Sequence, residues 1–302
     1  MKKILSIGGQ AVIEGVMMRS PEYIATAVRK PNGEIVYKKR KISDTKTKLE
    51  KLPFVRGVVM LFEALTVGIQ ELTFSANESE EKEEEQITKK EAVMTTILSL
   101  GIGIALFMVL PAIIGEFFFP RNKLHANILE GILRLVFFIV YIWGISLSKE
   151  VSRVYEYHGA EHKSIYAYEN GLDLTPINAK QFTTLHPRCG TSFLLIVMLI
   201  AIITFSMVDY ILPTPNTIFT KFLIKVGLRI ILMPFIAGVA YEIQKYSAGH
   251  LDNKFIKLLA FPGLSLQRIT TKEPDLEQLE VAIVAIKASL NENIDNAREI
   301  NI

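Results

Sequence analysis

The chain has 302 residues, half of them hydrophobic, and a formal net charge of +3. The apolar residues are concentrated in blocks, which indicates a membrane protein and excludes an ordinary soluble domain. The basic residues are spread along the chain, so the sequence predicts no nucleic-acid partner. The single cysteine, Cys189, excludes an internal disulfide.

Residues 1–52 are predicted to form a small cytoplasmic β-containing region. Two β-favouring runs flank a turn and predict a hairpin. They are Tyr23 to Arg29 and Glu34 to Tyr37, with Pro31-Asn32-Gly33 between them. The basic run Lys38 to Lys41 predicts a solvated edge strand, with contact to lipid headgroups as the alternative. The three glycines between Gly8 and Arg19 predict tight turns or close backbone approaches.

Residues 53–91 join this region to the apolar blocks. The apolar stretch 54–74 contains Arg56, Glu63 and Glu71, so we expect a helix that lies at the membrane interface or packs on the bundle. The acidic stretch that follows, Glu78 to Glu91, cannot bury a core and predicts a linker.

Residues 92–243 predict a mostly α, polytopic membrane domain with about four transmembrane helices, each long enough to cross a hydrocarbon core of about 30 Å. The predicted spans are Ala92 to Gly115, Ala126 to Ser148, Cys189 to Val208 and Phe222 to Ile243. Within the second span, Glu130 and Arg134 can neutralise each other. Lys225 and Arg229 are expected to snorkel outward or to meet Glu130 and Asp209.

Lysine and arginine are more frequent in the loops on one side of these spans. The positive-inside rule then predicts the inner membrane of a bacterium, with both termini and the loop between spans two and three in the cytoplasm. Residues 244–302 are predicted to form a cytoplasmic C-terminal region. There a helix is predicted to begin at Pro274. Its apolar residues recur at steps of three and four, which predicts packing on the chain's own cytoplasmic part or a contact with a homo-oligomer or protein partner. They are Leu276, Leu279, Ile283, Ile286 and Leu290.

The central stretch holds most of the chemistry. Span two is predicted to continue as one helix to Glu169, with Asn170-Gly171 as its stop. On that helix His158, Glu161 and His162 share one face. This is the His-x-x-Glu-His order of one class of zinc peptidases, in which the histidines bind the metal and the glutamate is the general base. A polar helix face without metal is the alternative.

A second group lies just before span three. His186 and Cys189, three residues apart, add an imidazole and the only thiol. We therefore predict a zinc site with His158, His162, His186 and Cys189 as its ligands. Without metal, Cys189 would be a small buried residue and His186 a turn residue.

The number of ligands separates two functions. Four protein ligands would close the site and staple two spans together. Three would leave a position for water, with Glu161 as the catalytic base of a metal-dependent hydrolase. His250 is a spare candidate ligand, and His125 is expected to be incidental.

Four motifs resemble those of the YqhQ-like family of bacterial membrane proteins. They are Gly8 to Arg19, Glu156 to Glu169, His186 to Phe193 and Pro262 to Ile269. The resemblance covers nearly the whole chain and implies a membrane location and a metal-dependent enzyme, without an established reaction. The competing hypothesis is a non-enzymatic scaffold or accessory factor that docks envelope or translocation machinery, and a transporter comes third.

Overall fold

A five-stranded sheet and a set of long apolar helices make up the fold, in a computed structural model that describes residues 7–42, 52–80, 87–211, 218–250 and 253–300. The strands are β1 (Gly8–Val12), β2 (Gly15–Arg19), β3 (Tyr23–Arg29), β4 (Ile35–Lys41) and β5 (Arg298–Glu299). The helices are α1 (Val55–Glu78), α2 (Lys89–Ile104), α3 (Leu110–Phe118), α4 (Lys123–Ile145), α5 (Lys149–Glu169), α6 (Pro176–Lys180), α7 (Gly190–Ile211), α8 (Ile218–Ala248), α9 (Lys254–Thr270) and α10 (Leu276–Ser289). A π-helical turn, Ala105–Val109, joins α2 to α3.

The sheet has the strand order β1-β2-β3-β4-β5, and only the β4–β5 pair is parallel. The predicted hairpin is confirmed: β3 and β4 are antiparallel, Arg29 pairs with Ile35, and Gly33 takes a positive φ of 86°. The glycine-rich segment before it is a second hairpin, β1–β2, whose turn residue Glu14 has a φ of 51°. In the basic run of β4, the ammonium of Lys38 lies 3.1 Å from the carboxylate of Glu71.

Helices cover both faces of the sheet. The C-terminal half of α1 packs on one face through Val67 and Phe74. Helices α5 and α10 pack on the other, where Leu279, Ile283 and Ile286 of α10 are buried. The apolar residues of α10 therefore pack in the chain's own core, which is the first of the two alternatives predicted for them. Helix α10 begins at Leu276, two residues after Pro274, with Asp275 as its N-cap in a capping box with Gln278.

Five described helical segments are long and apolar enough to cross a membrane. They are Val55–Glu78, Lys89–Phe118, Lys123–Ile145, Gly190–Ile211 and Leu223–Ser247. Four correspond to the predicted spans, and the fifth is α1. The packing predicted for α1 is present: Arg56 forms an ion pair with Glu242 of α8, and Gly57 meets the backbone of Gly238, where a Cβ would lie 2.9 Å away.

Charged residues within the apolar helices meet one another. Glu130 and Arg134 of α4 are 2.5 Å apart, and the ammonium of Lys225 lies 2.8 Å from Glu130. Arg229 also contacts Glu130 and lies 3.0 Å from Asp209. The sequence prediction that Lys225 and Arg229 meet the carboxylates is confirmed. These contacts join α4, α7 and α8.

The prediction of one helix from span two to Glu169 is wrong. Helix α4 ends at Ile145, and α5 begins afresh at Lys149 after Ser148, which has extended backbone angles of −66° and 138°. The break lets α5 leave the direction of α4 and lie against the sheet. The predicted stop is confirmed, because Gly171 follows α5 with a φ of 68°.

Candidate metal centre

Helix α5 carries two of the predicted ligands, and its position is set by a close approach at Gly159. A Cβ there would lie 2.0 Å from the carbonyl oxygen of Lys272, and the backbone N–H of Lys272 donates to the carbonyl of Tyr155 at 2.9 Å. Only glycine lets the segment after α9 cross the helix at this point. His158 and His162, four residues apart, lie on one face with ring centroids 4.5 Å apart.

The turn 186–189, which brings Cys189 to the same place, is held by two glutamines. The buried Gln267 of α9 accepts from the backbone N–H of His186 at 2.7 Å and donates to its carbonyl at 2.8 Å. The same amide also donates to the hydroxyl of Ser192 at 3.0 Å. Gln244 of α8 donates to the carbonyl of Cys189 at 2.9 Å. Neither glutamine was predicted, since only the tertiary contact reveals their role.

His158, His162 and Cys189 converge on one point. Their ligand atoms all lie within 4.8 Å of one another, and the Nε2 of His158 is 3.1 Å from the Sγ of Cys189. Ligand atoms of a tetrahedral zinc ion, with Zn–N of about 2.0–2.1 Å and Zn–S of about 2.3 Å, lie about 3.3–3.6 Å apart. Shifts of about 1 Å would therefore close the three atoms on an ion, a distance that side-chain rotation covers.

In both histidines Nδ1 meets a backbone carbonyl, so Nε2 is the nitrogen that can bind a metal. The Nδ1 of His158 lies 2.8 Å from the carbonyl oxygen of Thr270, and that of His162 contacts the carbonyl of Thr184. A carbonyl only accepts, so each Nδ1 carries a proton and each Nε2 offers a lone pair. The Nε2 of His162 is buried and has no hydrogen-bond partner among the described residues. A buried atom of this kind fits a metal ligand.

His186, a predicted ligand, is oriented differently. Its ring lies 5.5 Å from that of His162, but its Nδ1 accepts from the backbone N–H of Arg188 at 3.3 Å. The proton is therefore on Nε2, which lies 3.7 Å from the carboxylate of Glu169. The structure does not bring His186 into the group formed by the other three predicted ligands.

Glu161 is buried beside the group, at 5% exposure. Burial raises the pKa of its carboxyl, while the charges of His158 and His186 and the backbone N–H of Gly9 act in the opposite direction. A Cβ on Gly9 would lie 3.0 Å from the Glu161 carboxyl carbon and 2.6 Å from the carbonyl of Met17. The close approach predicted for the glycine-rich segment is therefore confirmed, and it leaves room for the carboxylate of Glu161 against Gly9.

Burial favours the neutral form of two of the imidazoles. Burial lowers the pKa of His162 and that of His186. Neutral imidazole is the form that binds a metal.

A cavity of about 590 Å³ adjoins the group. Glu161, His162, His186 and Cys189 line it together with β1 and α1. The other two histidines lie outside the metal group. His250 is exposed and stacks on Tyr246 at 4.2 Å, and His125 lies 5.5 Å from the ring of Phe119.

Comparison with known proteins identifies the family. Residues 52–292 match the family described as a protein of unknown function, DUF1385. The chain is also 35% identical over 293 residues to the "Uncharacterized protein YqhQ" of Bacillus subtilis (strain 168), which covers 91% of this chain and 89% of that protein. No solved structure matches the chain significantly. The chain belongs to the DUF1385 family, and to its YqhQ-like members.

Proposed function

We propose that the chain is a zinc-dependent hydrolase of the bacterial cytoplasmic membrane. One observation carries the proposal: His158, His162 and Cys189 converge, with the buried Nε2 of His162 unpartnered among the described residues, beside a cavity that also contains Glu161. Three protein ligands and an adjoining cavity are typical of a catalytic zinc site, whereas structural sites have four protein ligands.

Each residue of the centre has a distinct role in this proposal. His158, His162 and Cys189 hold the ion, which would supply Lewis acidity and lower the pKa of water toward about 7. Glu161 accepts the proton from the attacking water as general base. His186, with its proton on Nε2, is a hydrogen-bond donor at the cavity wall.

The membrane arrangement follows from the charges of the helices. We place four spans in the bilayer, formed by α2–α3, α4, α7 and α8. Helix α1 lies beside them at the interface, because its Glu63 pairs with Arg19 at 2.8 Å and its buried Glu71 accepts from Thr26 at 2.7 Å. Both partners belong to the sheet, which is a water-facing structure by its charge. The positive-inside rule places the sheet and the metal centre in the cytoplasm.

Metal analysis tests the centre. Purified wild-type protein should contain one zinc per chain, and His162→Ala and Cys189→Ser should each lose it. His250→Ala is the matched control and should keep it, because His250 lies outside the group. A wild-type protein without stoichiometric metal would refute the proposal. Chelation that unfolds the protein, together with full function in Glu161→Gln, would indicate instead that the ion only joins α5 to α7.

Labelling of single cysteines tests the topology. In a Cys189→Ser background, a cysteine at Arg121, between α3 and α4, should react with a membrane-impermeant maleimide on intact cells. A cysteine at Arg40 of β4 should react only after lysis. The reverse pattern would overturn the orientation.

A further inference from the structure

The cavity at the metal centre is mainly apolar. Its volume of about 590 Å³ falls within the range of small-molecule sites, about 300–1,000 Å³. Apolar side chains from the sheet, the loops, α1 and α5 form most of its wall. Among them are Met17, Ile42, Met60, Ala64, Val67 and Ile165. A ligand of this cavity therefore carries a substantial apolar part.

Helix α1 connects this wall with an apolar surface. Met60 lines the cavity and is 38% exposed, so it lies at the opening. Phe62 and Leu65, on the opposite side of the same helix, are 59% and 54% exposed. Helix α1 therefore lies between the cavity and an exposed apolar surface, which is typical of a membrane contact. For a helix at the membrane interface, a ligand that enters at Met60 comes from the bilayer.

Two guanidinium groups give the cavity its charge. Arg19 and Arg188 both line it, and Glu161 is the one carboxylate in its described lining. The partners of the two arginines, Glu63 and Glu169, lie outside that lining. Both ion pairs are partly exposed and so contribute little. Each arginine has five N–H donors, and these are suited to a carboxylate or phosphate.

We propose that this cavity binds an anionic single-chain amphiphile from the bilayer, with the chemistry of a long-chain fatty acid. Arg19 and Arg188 hold the anionic group, and the apolar chain lies against Met60, Ala64 and Val67. The inference deepens the proposed hydrolase by naming its product class, and it rests on that function for the reaction. Water adds to the carbonyl carbon of a long-chain acyl ester, the bond to the ester oxygen breaks, Glu161 passes the proton of the water to the departing alcohol, and the fatty acid remains. An extended apolar peptide is the competing ligand.

Photolabelling tests the apolar wall. The full chain is placed in phosphatidylcholine nanodiscs with palmitic acid that carries a photoreactive diazirine, and the labelled residues are mapped by mass spectrometry. Label is expected on residues 60–67 of α1 and on the Arg19–Pro21 segment. Ala64→Trp fills the cavity and should remove at least about nine-tenths of this label, a tenfold loss that corresponds to about 1.4 kcal/mol. Leu65→Trp, outside the lining, should label like the wild type.

Competition tests the charge and the ligand class. Unlabelled palmitate should displace the probe, and palmityl alcohol, which lacks the charge, should be about tenfold weaker. Arg19→Gln should weaken palmitate by a similar factor, whereas Arg40→Gln, on the exposed end of β4, should not. Equal competition by the alcohol, or stronger competition by a Leu-Ala hexapeptide, would overturn the inference. Label spread evenly over the apolar helices would overturn it as well.

Metal content separates the two proposals. Zinc in the wild type without specific photolabelling refutes the amphiphile and leaves the metal centre standing. Specific photolabelling of a protein that binds no zinc refutes the hydrolase and supports the amphiphile.

Discussion

Replacement of Gln267 by methionine provides a sharp test of how the metal centre is assembled. Methionine has a similar length but neither donates nor accepts a strong hydrogen bond. The variant leaves the buried backbone N–H of His186 without its partner at 2.7 Å, whereas the carbonyl loses its bond at 2.8 Å and keeps the one from the N–H of Cys189 at 3.2 Å. One buried unsatisfied group costs about 1–3 kcal/mol, so the native conformation of the turn 186–189 loses about that much.

This loss should appear in the metal affinity, because the turn positions Cys189. Changes to residues that orient metal ligands typically cost 10- to 100-fold in affinity. We therefore expect the zinc Kd of Gln267→Met, measured by competition with a chelator, to rise by about that factor. The cobalt-substituted protein should also lose the thiolate-to-metal absorption that reports Cys189 as a ligand. Gln267→Glu keeps the acceptor for the His186 N–H, and its zinc Kd should lie between those of the wild type and Gln267→Met.

Gln278 offers a matched control. It is also a buried glutamine, and it donates to Glu156 at 2.8 Å and accepts from the N–H of Asp275 at 3.0 Å. Gln278→Met should lower the melting temperature and leave the zinc Kd unchanged. A folded Gln267→Met protein with wild-type zinc affinity and an intact cobalt-thiolate band would refute the reasoning.

Three more variants or conditions test the site. Glu161→Gln should keep its zinc and its fold. Its rate of hydrolysis of a panel of fluorogenic acyl esters should fall at least about 100-fold, as expected on removal of a general base, and an active variant excludes that role. Gly159→Ala places a Cβ 2.0 Å from a backbone carbonyl oxygen and should cost about 1–3 kcal/mol of stability, whereas Gly144→Ala, with open space around it, should cost nothing in a thermal melt. Burial lowers the pKa values of His162 and His186, so below the unfolded-state value of about 6.5 the unfolded chain binds more protons. The raised pKa of the Glu161 carboxyl acts in the opposite direction, and Glu161→Gln removes it. The metal-free Glu161→Gln protein should therefore lose stability as the pH falls from about 7 to about 5, and a constant melting temperature over that range would contradict this.

Local sequence patterns predicted much of the fold. The turn chemistry at Gly33 predicted the β3–β4 hairpin, and length and apolar composition predicted the four long helices of residues 92–243. Helical spacing also brought His158 and His162 together in the prediction. These features depend on neighbours within a few residues, which a sequence displays directly. The break at Ser146–Ser148 was missed although Gly144 stands just before the end of α4, because a single glycine inside an apolar helical pattern is also compatible with a helix that continues.

The sequence by itself determined that His158 and His162 share a helix face and that Cys189 is the single thiol available to join them. Only the tertiary structure decided which nitrogen of each of these two imidazoles carries the proton. The carbonyls of Thr270 and Thr184, from distant parts of the chain, keep the proton on Nδ1. His186 differs, since the backbone N–H of Arg188, only two residues along the chain, donates to its Nδ1 and leaves its proton on Nε2; the tertiary structure decided that it lies outside the group. A ligand's lone pair is directed by whatever packs against the other side of the ring, and that partner is set by the fold.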